Sequence, residues 1–193
     1  TIQIEEFRDD LELDLVTHDA KKFFNLMLKK KGYVLEQLFS PLIIQTSPEH
    51  EELKSIGKKC ITKFHAHHYL GFAKTEWKLF QKENPPRVKP LLYIFRVLLT
   101  GIYLMKTGEI EANLLKLNEV FKLSYIPELI ERKINGKEKE VFPDANLEFY
   151  GREYERLVVE LENAMEKSNL PEMPSAKDDL NDLLIRLRLK ELK

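Results

Sequence analysis

From Leu91 to Leu104 the chain is apolar on nearly every side. A helix of that kind cannot lie on a surface with one face in water, so other helices must surround it. The remaining sequence is suited to supply them. Phe64 to Phe80 carries an apolar stripe through Tyr69, Leu70, Phe72, Ala73 and Trp77 at helical spacing, and roughly Asn146–Lys167 is a long amphipathic stretch. Pro48 starts another helix, and Pro85-Pro86 makes the clearest linker, since the second Pro forces the first out of helical geometry. Thr107-Gly108 ends the apolar helix. Two short helices are expected about Ala112–Phe121 and Pro127–Ile134, with Asn135-Gly136 as a turn before the long amphipathic stretch. A last helix, rich in Leu and Arg, comes after Pro171 and Pro174, runs through Leu192 and is expected to pack back on the bundle.

The opening of the chain has a different period. Ile2 and Ile4, then Leu11, Leu13 and Leu15, alternate with polar residues, which marks two strands with a hairpin turn at Arg8-Asp9-Asp10. Thr17-His18-Asp19 offers a cap for a helix containing Phe23, Phe24, Met27 and Leu28, and Lys29-Lys30-Lys31-Gly32 closes it, with Gly32 expected in the left-handed position. Val34 to Phe39 reads as a short apolar turn, and Leu42-Ile43-Ile44 as one more strand. The fold class is α+β: a small α/β piece over residues 1–46, then a helical domain over 47–193. Thr1 opens directly onto the alternating pattern, as in a sequence entered partway through a domain.

Charge narrows the partners. With 31 basic and 32 acidic side chains the formal charge is −1, whereas a chain built to grip a long phosphate backbone carries a basic excess. Any nucleic-acid contact is therefore local. Cys60 is the only cysteine, so an intrachain disulfide is impossible and the cytoplasm is the default location. No uninterrupted apolar run approaches the ~20 residues of a membrane span.

Asp14 is the first candidate for chemistry. Its neighbours Leu13 and Leu15 point to the opposite face of the strand, so Asp14 shares a face with Glu12. An acid at a strand centre either faces solvent or is used, and used carboxylates of this kind bind Mg²⁺ together with substrate phosphates. Lys89, Tyr93 and Arg96 fall on one face of the apolar helix. Cations there either clamp phosphates or snorkel at the bundle edge, paired with a Glu. Cys60, His65, His67 and His68 are close in sequence, but their spacing does not give zinc a second ligand pair.

Four motifs occur in order. They are Asp14-Leu-Val-Thr-His-Asp19-Ala-Lys-Lys, Val34-Leu-Glu-Gln-Leu-Phe-Ser-Pro41, His67-His68-Tyr69-Leu70-Gly71-Phe72-Ala73-Lys74, and Lys89 to Arg96 with Gly101 to Gly108 after it. From about Ile4 to Glu111 the chain resembles polymerase-β-superfamily nucleotidyltransferases, in their predicted-nucleotidyltransferase and RNA-repair-associated branch. The resemblance implies transfer of a nucleoside monophosphate from an NTP to an acceptor hydroxyl, with release of pyrophosphate. It implies two Mg²⁺ ions held by three carboxylates, two from an Asp-x-Asp after a Gly-Ser turn and one from a later strand. Asp14 matches the later one, as catalytic residue and metal ligand. His68, Lys74, Lys89, Tyr93 and Arg96 match the nucleotide cleft. The Gly-Ser turn and the Asp-x-Asp belong upstream, and no Gly precedes Gly32 here. The chain is thus expected to be an enzyme if that segment exists in the intact protein. The acceptor, whether an RNA end, a protein side chain or a small molecule, stays open. The alternative is a non-catalytic binding or scaffold module with a vestigial sheet edge, which would need a partner or a homodimer to cover it.

Overall fold

The computed structural model of the chain describes residues 1–9, 11–136, 141–142 and 146–190. Strands β1 (Ile2–Arg8) and β2 (Leu11–Thr17) form a two-stranded antiparallel ribbon, and the hairpin tip carries Asp9 in the left-handed region at φ 47°. The expected third turn residue, Asp10, lies outside the described residues. Helices come next: α1 (Ala20–Leu28), α2 (Gly32–Leu38), α3 (Pro48–Lys58), α4 (His65–Phe80), α5 (Val88–Thr107), α6 (Leu114–Phe121), α7 (Tyr125–Asn135), α8 (Leu147–Lys167) and α9 (Lys177–Lys190). The chain is therefore α+β, a small two-stranded sheet followed by a mainly helical body.

Helix α5 is the axis of that body. Leu91, Ile94, Phe95, Leu98, Leu99, Ile102 and Leu104 are each fully buried, and α4, α6, α7 and α8 pack around them. By length and composition α5 could cross a membrane, but two-thirds of it is covered by the other helices, as a core helix requires. Gly101 lets the helices close in: a Cβ there would sit 2.9 Å from Leu161 Cδ2 on α8 and 3.0 Å from Tyr69 Cβ on α4. Gly108 at φ 75° ends the helix in the left-handed conformation that Gly adopts without a Cβ penalty.

The C-terminal helix packs back as expected. Leu180 and Leu183 are buried, and ion pairs tie α9 to two elements. Arg186 reaches Glu52 and Lys190 reaches Glu49 on α3, while Arg188 meets Asp19, the N-cap of α1.

Three local expectations need correction. Val34 to Phe39 is not a turn but most of α2, because Val34, Leu35 and Leu38 recur at helical spacing and bury one side. The left-handed residue after α1 is Lys30 at φ 58°, not Gly32. Gly32 instead opens α2 under the Tyr69 ring, where a Cβ would come within 2.7 Å of Tyr69 Cζ and 2.8 Å of His68 Cδ2. Leu42-Ile43-Ile44 is irregular and exposed rather than a strand. A strand needs a hydrogen-bonding neighbour, and among the described residues β1 and β2 pair only with each other. The end of the last expected helix, Leu192, lies outside the described residues.

Candidate active site

The ribbon fixes Asp14 by its register. Asp14 on β2 stands directly opposite Glu5 on β1, and Phe7 faces Glu12 next to them. Glu5, Glu12 and Asp14 thus share one face, while Ile2, Ile4, Leu11, Leu13 and Leu15 share the other. Both faces are largely open to solvent; Ile2 is 66% exposed and Phe7 76%. Two like charges directly opposite each other weaken a strand pair, so this position is poor for the ribbon and well suited to a cation. Among the described residues no group of three or more His, Cys, Asp and Glu side chains could hold a metal. The residues here fit one wall of a Mg²⁺ site, since that ion commonly takes only one or two protein carboxylates.

The helical body brings a second set together. On α4, His68 lies with its ring centroid 6.4 Å from Phe72, and Phe72 stands edge-on to Tyr93 of α5 at 5.3 Å. The Arg96 guanidinium lies 4.6 Å over the Tyr93 ring. Arg96 Nη1 donates to Glu36 Oε2 of α2 at 2.8 Å. Tyr33 closes the row against His68 at 6.0 Å. Three of the expected cleft residues, His68, Tyr93 and Arg96, therefore converge at the junction of α2, α4 and α5.

The other two are placed differently. Lys89 is exposed in the first turn of α5, on the face that carries Tyr93 and Arg96. Lys74 is about 120° round α4 from His68. It is exposed on the side that carries His67, Gly71 and Lys78.

Burial sets the charges in this cluster. For Arg96, burial favours the neutral form, but the Glu36 carboxylate and Tyr93 outweigh it and hold the guanidinium charged. Burial also lowers His68, with Lys31 adding to the effect and Glu36 opposing it, so the imidazole is held neutral. Tyr69, beside Glu36, is pushed well above the usual phenol range, mainly by burial. Its hydroxyl is buried, and its nearest polar neighbour is the Glu36 carboxylate, which it meets without good hydrogen-bond geometry.

Glu36 also forms part of the wall of a cavity of about 370 Å³ shared with Ser40, Pro41, Glu111, Asn113 and Lys116. This concavity gathers the end of the Val34–Pro41 motif and the loop after α5. Sequence reasoning passed over Glu36, Glu5 and Lys116. The signal for Glu36 was its place between Leu35 and Leu38, residues whose spacing is helical. Glu5 becomes visible only once the register is known.

The histidine cluster does not form a metal centre. Cys60 and His65 are buried, His67 is exposed and His68 turns towards Tyr33 and Phe72. His65 Nδ1 is within bonding distance of the Thr62 backbone N–H, at 3.2 Å.

A match to a family of polymerase-β type over nearly the whole chain makes it a relative of polymerase-β-type nucleotidyltransferases. It belongs to the RlaP family, the RNA repair pathway DNA polymerase beta family, over residues 2–186. It is 30% identical over 164 residues to the uncharacterized protein MJ0002 of Methanocaldococcus jannaschii, an alignment that covers 84% of this chain and 66% of that protein. The chain therefore spans just under two-thirds of that relative's length. No solved structure matches the chain.

Proposed function

We propose that the intact protein transfers a nucleoside monophosphate from an NTP to an acceptor hydroxyl and releases pyrophosphate, in the cytoplasm. The observation that carries this reading is Asp14, exposed on β2 opposite Glu5 in a chain of this family. Asp14 would be a ligand for Mg²⁺, and the remaining carboxylates would come from a segment that holds the Gly-Ser turn and the Asp-x-Asp. When bound, two such ions lower the pKa of the attacking hydroxyl and offset charge on the leaving pyrophosphate. Arg96 contributes guanidinium donors beyond the one that Glu36 takes, and Lys89 on the same face adds a point charge for the phosphates. Tyr93 and neutral His68 form the wall against the base or sugar. Lys74, on the exposed side of α4, contributes only if substrate extends over that side.

The test is Asp14→Asn in the full-length protein. Mg²⁺-dependent pyrophosphate release should vanish while the urea midpoint does not fall, because the side chain is exposed and its loss relieves the repulsion from Glu5. Transfer at the wild-type rate would sink the assignment.

The second reading, a non-catalytic scaffold, draws on the apolar ribbon face formed by Ile2, Ile4, Leu11 and Leu15. In the transferase reading the rest of that α/β domain covers that face. In the scaffold reading a partner or a second copy covers it, and no metal-dependent transfer is detected in the intact protein.

A further inference from the structure

A second feature lies on the other side of His68. Lys29, Lys30, Lys31, Phe64, His67 and His68 line a depression of about 540 Å³. On a continuous helix three consecutive lysines would point about 100° apart. Here the chain leaves α1 at Lys29, turns left-handed at Lys30 (φ 58°) and is extended at Lys31 (φ −90°, ψ 103°), so all three border one hollow. A non-glycine residue at positive φ is uncommon, and this one serves to gather charge.

The hollow also has an aromatic side. Phe64 and His67 are stacked, with ring centroids 5.7 Å apart and planes at 11°. His67 is exposed, so a further flat ring placed on it would extend a stack already two rings deep. Lys30 Nζ lies 4.6 Å from the Phe64 centroid. The neighbouring Lys63 has its charge taken by Glu172 at 2.6 Å. Glu172 also acts on Lys30 at longer range, but among the described residues no carboxylate comes within ion-pair distance of Lys29, Lys30 or Lys31.

A smaller hollow of about 350 Å³ shares Lys29 and is lined by Lys21, Lys22, Asn25 and Asp19, the last neutralised by Arg188. Lys22 reaches Thr1 at the base of the ribbon. A strip of positive charge thus runs along α1 from the ribbon that bears Asp14 to the stacked rings. In a chain of net charge −1, this is a local concentration rather than a general basic excess.

We infer that this strip binds single-stranded nucleic acid, with phosphodiesters on Lys29, Lys30 and Lys31 and a base stacked on His67. Repeated charge along a track plus an open aromatic platform is the recognition chemistry of an unpaired strand. A duplex hides its base faces, and an anionic lipid surface has no use for the stacked rings. Binding by the strip stands apart from catalysis. That the bound strand is the transfer acceptor rests on the transferase reading above.

Fluorescence anisotropy with a labelled single-stranded RNA of about twelve nucleotides, without NTP or Mg²⁺, tests the strip separately from transfer. The wild-type chain should bind with log Kd rising against log salt by about 2 if three phosphates are engaged. K29Q/K30Q/K31Q should bind more than about tenfold more weakly and lose most of that slope. His67→Ala should lower affinity by about five- to a hundredfold and keep the slope. The inference is overturned if the wild type does not bind, or if the triple variant binds as the wild type does. It is equally overturned if a duplex of the same length, or vesicles containing phosphatidylserine, bind as tightly through the same lysines.

Discussion

Arg96 Nη1 and Glu36 Oε2 meet at 2.8 Å across the junction of α5 and α2, with only 19% and 15% of the two side chains exposed. Sixty residues apart in sequence, they hold the short helix α2 against the core helix. Removing one partner leaves the other charge nearly buried and unpaired, which costs far more than the pair itself contributes. Glu36→Gln should therefore lose about 1–3 kcal/mol in urea unfolding. Changing both residues to neutral ones should cost less than the two single losses added together. A change under about 0.5 kcal/mol for Glu36→Gln would mean that the pair is solvated and does not organise the cleft.

His65 makes stability depend on pH. The ring is fully buried, and burial, assisted by the Lys30 charge and, once acid protonates it, by His68, lowers its pKa to about 4 against the opposing Thr62 backbone. Unfolding returns it to about 6.5. The unfolded state therefore binds a proton first, and stability falls as pH drops through that window. Between pH 7.5 and 5 the loss attributable to His65 should be about 2 kcal/mol. Urea titrations of wild type and His65→Leu at the two pH values measure it. Equal losses in both proteins would assign the effect elsewhere.

Features legible in the sequence are those set by local physics. The all-round apolar helix, the alternating ribbon and the Gly108 stop depend on near neighbours, and α5, β1, β2 and the helix end at Gly108 formed where expected, whereas the left-handed residue expected at Gly32 is Lys30. Lys89, Tyr93 and Arg96 share a face because helical spacing alone decides it. The Glu5–Asp14 opposition depends on strand register, and the Glu36–Arg96 pair on the packing of α2 against α5, neither of which a single stretch encodes. Leu42-Ile43-Ile44 failed as a strand for the same reason: β-structure is a pairing property, and its composition said nothing of a partner. The family resemblance had placed Glu36 inside a motif, yet its role appears only where Arg96 arrives from another helix.

Cys60 should be inert. Its thiol is fully buried, and burial pushes its pKa up to about 12, so the thiolate is scarce at neutral pH. A thiol reagent at pH 8 should label the native chain at less than about a hundredth of the rate seen in urea. Fast native labelling would show that the loop between α3 and α4 opens readily.

Gly32 is the position where the least added volume should do the most damage to the site. Its place at the start of α2 lies against Tyr69 and His68, and an added methyl would stand 2.7 Å from the Tyr69 ring and hydroxyl. The ring cannot retreat easily, because Tyr69 is 1% exposed and belongs to the core. Either Tyr69 and His68 shift, or α2 lifts and takes Glu36 away from Arg96. Gly32→Ala should cost about 1–3 kcal/mol despite the better helix propensity of Ala. The contrast is Gly71→Ala on the exposed side of α4, where an added Cβ meets nothing within 4 Å and Ala should stabilise by up to about 1 kcal/mol. Urea unfolding of the two variants decides the matter. If Gly32→Ala is as stable as Gly71→Ala, α2 is not seated on Tyr69, and the convergence of His68, Tyr93, Arg96 and Glu36 loses its structural basis.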